Sequence, residues 1–128
     1  MKFRLALAAL ATAATVFAGP AAFAADPDAG KKVFRQCRAC HVVDKEQNRV
    51  GPHLVGIIGR TAGAVDGFRY SKAMKGAGED GLAWTKENIA AYLKDPKGFV
   101  KGNRMAFRGL KKDADVENVI AYLEAAGS

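Results

Sequence analysis

Two thiols and an imidazole stand together in the chain, at Cys37-Arg38-Ala39-Cys40-His41. On a helix, residues at i and i+3 share one side, and a histidine directly after the second cysteine projects close by. Two sulfurs at that spacing can bond the two vinyl carbons of one haem while the imidazole reaches its iron, and the pentapeptide is the recognised pattern of c-type haem attachment. Three other readings bear on the same residues. A structural or redox C-x-x-C disulfide suits an oxidising compartment, but its thioredoxin-like form expects a βαβ context that the chain does not offer. A zinc site needs four ligands; only His53 adds an obvious one, and the spacing fits no finger pattern. Chance is the third: with 2 His in 128 residues, a histidine would follow Cys40 about once in sixty. Covalent haem c, one per chain, is the expectation.

Iron bound by His41 has a sixth position, and its occupant decides the chemistry. Met74, Met105 and His53 are the candidates. His53 follows Cys40 too closely and is expected to stay on the His41 side. Met74 lies in a helix-like stretch and reads as an adaptable core filler. Met105 lies in Gly102-Asn103-Arg104-Met105-Ala106-Phe107, a loop without helical periodicity. A lone methionine there is poorly explained as a core residue of any helix. Its thioether is a soft axial donor, and Met105 is the expected second iron ligand.

These residues need elements to position them. Asp26 followed by Pro27 reads as a helix start, a carboxylate cap and then a proline whose missing N–H costs nothing in the first turn. Val33, Phe34, Cys37 and His41 then recur at intervals of three or four, which is one helical face. Gly30 inside that helix costs about 1 kcal/mol relative to Ala, which predicts another helix crossing there at close range. Thr85 can cap a second helix through Lys94, with Ile89, Tyr92 and Leu93 inward and Pro96 as its stop. Asp113 and Asp115 open a third, with Val116, Val119, Ile120 and Leu123 on one face. Ser71 to Lys75 reads as a short turn of helix. No stretch alternates as a strand does, so the expected class is all-α. The long segments Val42–Tyr70 and Pro96–Lys112 read as loops, uncommon in a small domain without function or support. A chain with so much irregular structure has a small apolar core of its own, and something else should fill the middle.

At 128 residues the chain has room for one domain. Its 49% hydrophobic and 26% charged residues exclude a disordered or collagen-like chain, and two cysteines exclude a disulfide-rich scaffold. Lys2 and Arg4 precede an apolar run from Leu5 to Ala18; Gly19-Pro20 break it and Ala22-Phe23-Ala24 offers a cleavage pattern. Residues 1–24 therefore read as a signal peptide rather than an anchor, since the run is short and alanine-rich where a span needs about 20 strongly apolar residues. Its removal leaves residues 25–128 as the domain, exported to the periplasm, and lowers the net charge from +7 to +5 with the loss of Lys2 and Arg4. That balance favours acidic partners.

With these features the sequence resembles the class I c-type cytochromes, small soluble electron carriers related to mitochondrial cytochrome c. Residues 28–126 carry the likeness. It includes the pentapeptide, Gly51-Pro52-His53-Leu54, Gly59-Arg60, Gly67-Phe68-Arg69-Tyr70, Trp84, Tyr92-Leu93, Asp95-Pro96, Met105-Ala106-Phe107 and Ala121-Tyr122-Leu123. The resemblance implies the small cytochrome c fold, three main helices plus a short one with long loops wrapped around one covalent haem. It implies that the Pro52 carbonyl takes the ring N–H of His41. Arg60, Tyr70 and Trp84 would stand at the haem propionates, and Tyr92 and Phe107 would pack on the Met105 side. Gly30 and Phe34 would meet Val119 and Tyr122 where the first and last helices cross. Lys32, Arg49, Lys97, Arg104 and Lys111 would ring an exposed haem edge. They would face acidic surfaces of membrane redox complexes: a cytochrome bc-type reductase, a terminal oxidase, a reaction centre or a periplasmic reductase. The implied protein is a monomeric electron carrier, not an enzyme, in a respiratory or photosynthetic chain, and it binds no nucleic acid. The chain departs from the mitochondrial pattern at His53 and Met74, where Asn is usual, at Asn103-Arg104 in place of Thr-Lys, and in a Tyr70-to-Trp84 loop longer by three residues. The rival class is a haem enzyme or gas sensor with five-coordinate iron, but no spare histidine or paired carboxylates suggest distal acid–base groups.

Overall fold

The computed structural model describes residues 13–16 and 24–127, so the expected signal peptide lies outside the described residues but for 13–16 and 24. Among the described residues the regular elements are helices, with one isolated antiparallel bridge between Thr61 and Ala83. They are α1 (Pro27–Val33), running into a 3-10 turn (Phe34–Gln36), then α2 (Lys72–Glu79), α3 (Lys86–Lys94), α4 (Pro96–Phe99) and α5 (Asp113–Ala126). The all-α expectation agrees with this. None of the described helices is long and apolar enough to cross a membrane.

Helix α1 starts as its sequence requires, with the Asp26 carboxylate accepting from the Asp28 N–H at 2.9 Å and Pro27 in the first turn. It does not continue as α-helix to His41, as the periodicity suggests. The Phe34 carbonyl accepts from both Cys37 N at 2.8 Å and Arg38 N at 3.0 Å, so the ladder tightens to i→i+3 at its end. The Cys37 carbonyl then accepts from Cys40 N and His41 N, each at 3.0 Å. The cysteine-histidine segment therefore sits on a contracted turn just past α1.

The close crossing expected at Gly30 is present. A Cβ there would overlap the Asn118 carbonyl of α5 and come within 2.8 Å of Tyr122 Cβ. Phe34 and Tyr122 stack beside it with centroids 5.3 Å apart. Buried Asn118 accepts from the Asp26 N–H at 2.9 Å, tying the start of α1 to α5. Helix α5 buries the predicted face, Val116, Val119, Ile120 and Leu123, and keeps Asp113 and Asp115 in its first turn, where they suit the helix dipole.

Thr85 caps α3 by accepting from Asn88 N at 3.1 Å, and Ile89 and Tyr92 point inward. Asp95 ends α3 and caps α4, its carboxylate accepting from Gly98 N at 3.1 Å. Four residues give no readable period, so α4 was hidden inside the segment read as the Pro96–Lys112 loop. Ser71 caps α2, which runs to Glu79 rather than stopping at Lys75. The core joins α3 and α5 to Val100 and Leu110; Cys37, Met105 and Phe107 pack against it half-buried.

Gly30→Ala follows from the crossing. On an exposed helix that change stabilises by about 0.5–1 kcal/mol; here the added methyl should destabilise by about 1–3 kcal/mol through overpacking. Denaturant unfolding of the haem-loaded protein gives the sign.

Candidate functional site

The chain leaves the cysteine turn and folds straight back over it. Gly51 N donates to the Cys40 carbonyl at 2.9 Å and Leu54 N to the Val42 carbonyl at 2.8 Å. That return brings the Pro52 carbonyl to 2.7 Å from His41 Nδ1. A carbonyl can only accept, so Nδ1 carries the hydrogen and Nε2 of the neutral ring presents a lone pair. Burial holds His41 below the ordinary imidazole range; the Pro52 bond opposes that shift and the Arg60 cation adds to it. The ring lies hard against Gly51, where a Cβ would come within 2.7 Å of Nδ1 and 2.8 Å of Nε2. Both cysteines are half-buried and not bonded to each other. Burial pushes the Cys37 thiol up, and neighbouring Cys40 raises it further. Among the described residues no three His, Cys, Asp or Glu side chains gather to hold a metal ion.

On another side of the core, the Tyr92 hydroxyl donates to the Met105 sulfur at 3.8 Å. Burial pushes the Tyr92 hydroxyl up to about 12, so it is a neutral donor at ordinary pH. Its ring meets Trp84 at 4.9 Å between centroids and Phe99 at 6.1 Å. Met105 N donates to Asn103 Oδ1 at 2.9 Å and the Met105 carbonyl accepts from Phe107 N at 2.9 Å. Met74 packs half-buried against the core, as a filler would.

Arg60 and Trp84 are paired through their backbones. Trp84 N donates to the Arg60 carbonyl at 2.8 Å and the Trp84 carbonyl accepts from Gly59 N at 2.8 Å, a short pairing that holds the Arg60 backbone beside that of buried Trp84. Tyr70 is near enough to act on the Arg60 charge, while its hydroxyl accepts from Val65 N at 3.0 Å. Arg60 Nη1 reaches the Val55 carbonyl at 3.3 Å, but Nε is buried without a hydrogen-bond partner. A buried guanidinium N–H of this kind fits an anionic group of a bound molecule. His53 is placed beside Pro52, its N–H bound to Asn48 Oδ1 at 3.0 Å and its Nδ1 buried without a partner. Lys32, Arg49, Lys97, Arg104 and Lys111 are all exposed. Arg104 also spans to the Arg69 carbonyl at 3.1 Å.

Sequence reasoning missed the roles of Gly51, Asn103 and Asn118. Gly51 carried the only usable signal, since a glycine before Pro52 in a half-buried loop marks a close approach. The two asparagines resemble any other until their backbone partners are known.

The donor set and the folded loops are those of a haem c protein, and the comparisons agree. A family model described as Cytochrome c matches residues 27–126. Cytochrome c2 of Afifella marina is 54% identical over 97 residues, which are 75% of this chain and 78% of that protein. Cytochrome c 2.1 of Caenorhabditis elegans is 47% identical over 102 residues, 79% of this chain and 89% of that one. The structure of cytochrome c2 from Rhodospirillum centenum superposes with a TM-score of 0.76 at 40% identity, covering 80% of this chain and 99% of its own. The chain belongs to the cytochrome c family. It is a class I c-type cytochrome, an electron-transfer protein with one covalent haem c and its iron, and a carrier rather than an enzyme.

Gly51→Ala should displace the His41 ring and loosen its bond to Pro52, lowering the stability of the haem-loaded protein by about 1–3 kcal/mol. Thermal unfolding, followed in the haem absorbance, measures it.

Proposed function

We propose that Cys37 and Cys40 form the thioether bonds to the haem and that His41 and Met105 are its two axial ligands. The observation that carries the reading is the commitment of His41 Nδ1 to Pro52, which leaves Nε2 as the ring's only donor for iron. Met105 answers it with a half-buried sulfur whose peptide is bound on both sides. The bound haem supplies one-electron exchange between ferric and ferrous iron. The chain's part is to hold two fixed ligands and to leave no position for oxygen or peroxide. A neutral thioether in an apolar shell disfavours the extra charge of the ferric form and so raises the potential. The Tyr92 hydroxyl restrains the sulfur, and Tyr92 and Phe107 pack on that side. Arg60, with its unpaired Nε, Tyr70 and Trp84 receive the propionates.

The same reading makes the protein a soluble, monomeric periplasmic carrier, released by removal of residues 1–24, that delivers single electrons between membrane-bound redox complexes. Lys32, Arg49, Lys97, Arg104 and Lys111 steer it to acidic surfaces on those complexes. Their exposure supports this. Such encounters are fast, reaching about 10⁸ M⁻¹s⁻¹ at low salt, and use small interfaces below about 1,200 Å².

Met105→Ala should keep the haem, lower the potential, abolish the weak ferric methionine–iron band and open the iron to carbon monoxide. Ligand bands identical to those of the unaltered protein would refute Met105 as ligand. Charge reversal at Lys97 and Lys111 should slow reaction with a membrane oxidase or reductase at low ionic strength, with the gap closing as salt is added. Rates without any salt dependence would rule out electrostatic docking.

A further inference from the structure

The described core holds three buried polar residues, Ser71, Asn103 and Asn118. Ser71 caps α2 and Asn118 ties down the start of α1. Asn103, 6% exposed, belongs to neither end of any helix and makes the densest set of bonds. Its Nδ2 donates to the carbonyls of Pro96 and Val100, each at 2.8 Å, and its Oδ1 accepts from Met105 N at 2.9 Å. The amide orientation is unambiguous, because the two carbonyls can only accept and the backbone N–H can only donate. Asn103 N adds a fourth bond, to the Val100 carbonyl at 3.1 Å.

The targets of these bonds give them meaning. Pro96 opens α4 and Val100 directly follows it, so the Nδ2 donors grip both ends of that short helix. The Oδ1 acceptor grips the peptide of Met105, two residues on, in an Asx-type turn. Phe107 N takes the other side of residue 105, its carbonyl. Both backbone polar groups of Met105 are therefore occupied, which holds its peptide in place, while its sulfur accepts from the Tyr92 hydroxyl. No regular structure between α4 and α5 does this work; one side chain does.

We propose that Asn103 is the positioning residue for Met105: it anchors the Met105 peptide to α4 so that the thioether stays on the iron. The proposal rests on the assignment of Met105 as ligand. Its consequence is a free-energy gap between the closed site and one in which the sulfur has left. An added ligand such as imidazole must first displace the sulfur, so its apparent affinity reports the fraction of molecules with the site open.

The test uses the haem-loaded protein and the variants Asn103→Ala and Asn103→Thr. Asn103→Ala removes the acceptor of the Met105 N–H and both side-chain ties to α4, while the Pro96 and Val100 carbonyls keep their backbone donors; the loss corresponds to roughly a tenfold rise in opening. Imidazole affinity of the ferric protein should rise by that factor, with a weaker methionine–iron band and a lower potential. Asn103→Thr can restore the bond to Met105 N through its hydroxyl, more weakly, and should fall between the two. Global unfolding in guanidinium serves as the control. Unfolding at lower denaturant with imidazole affinity, band and potential unchanged would make Asn103 a merely structural residue and overturn the proposal. Should Asn103→Ala fail to assemble, Asn103→Thr decides alone, and imidazole affinity equal to that of the unaltered protein overturns it. Absence of the methionine–iron band in the unaltered protein would instead overturn the ligand assignment and the proposal with it.

Discussion

A neutral imidazole has one N–H and one lone pair, and the Pro52 carbonyl takes the N–H of His41 at 2.7 Å. That single acceptance selects the tautomer, orients the ring and turns Nε2 into the donor left for a metal. Much of the surrounding chain is arranged to bring this carbonyl there. Gly51 lies flat on the ring because no side chain fits between them. The bonds from Gly51 N to Cys40 and from Leu54 N to Val42 close the return of the chain over the cysteine turn. Burial keeps the imidazole neutral, and the nearby Arg60 charge acts in the same direction.

The helices act mainly as a frame. α1 and α5 cross at Gly30, and the crossing holds the end of α1, from which the cysteine turn hangs. α3 presents Tyr92, and through Tyr92 the sulfur of Met105. Between them the chain is irregular, and irregular chain leaves backbone groups that must find partners. Side chains meet part of that need: Asn48 binds His53 N, Asn103 binds Met105 N, and Tyr70 binds Val65 N. The apolar core is correspondingly small, and the covalent haem of this family completes it.

A site of this kind suits a carrier. The segments that carry His41 and Met105 are hydrogen-bonded on both sides, which holds their backbones in place. Lys32, Arg49, Lys97 and Lys111 stay exposed, whereas Arg60 is half-buried.

Much of this was legible in the chain alone. The cysteine-histidine spacing announced the haem because few other chemistries need those groups at those intervals. Gly30 announced a helix crossing because it is costly in a helix unless something lies against it. The caps at Asp26 and Thr85 and the inward face of α5 could be read because they depend on neighbours within about one turn of helix. Tertiary structure alone decided the rest. The contraction of α1 after Val33 and the four-residue α4 are too short to show a period. Asn103 and Asn118 looked like loop and helix-surface residues; their burial follows from which distant backbone groups the fold delivers to them. Local order is encoded by intervals within one turn, whereas the partner of a buried amide is chosen by contacts between segments far apart in sequence, and no single stretch of residues contains that information.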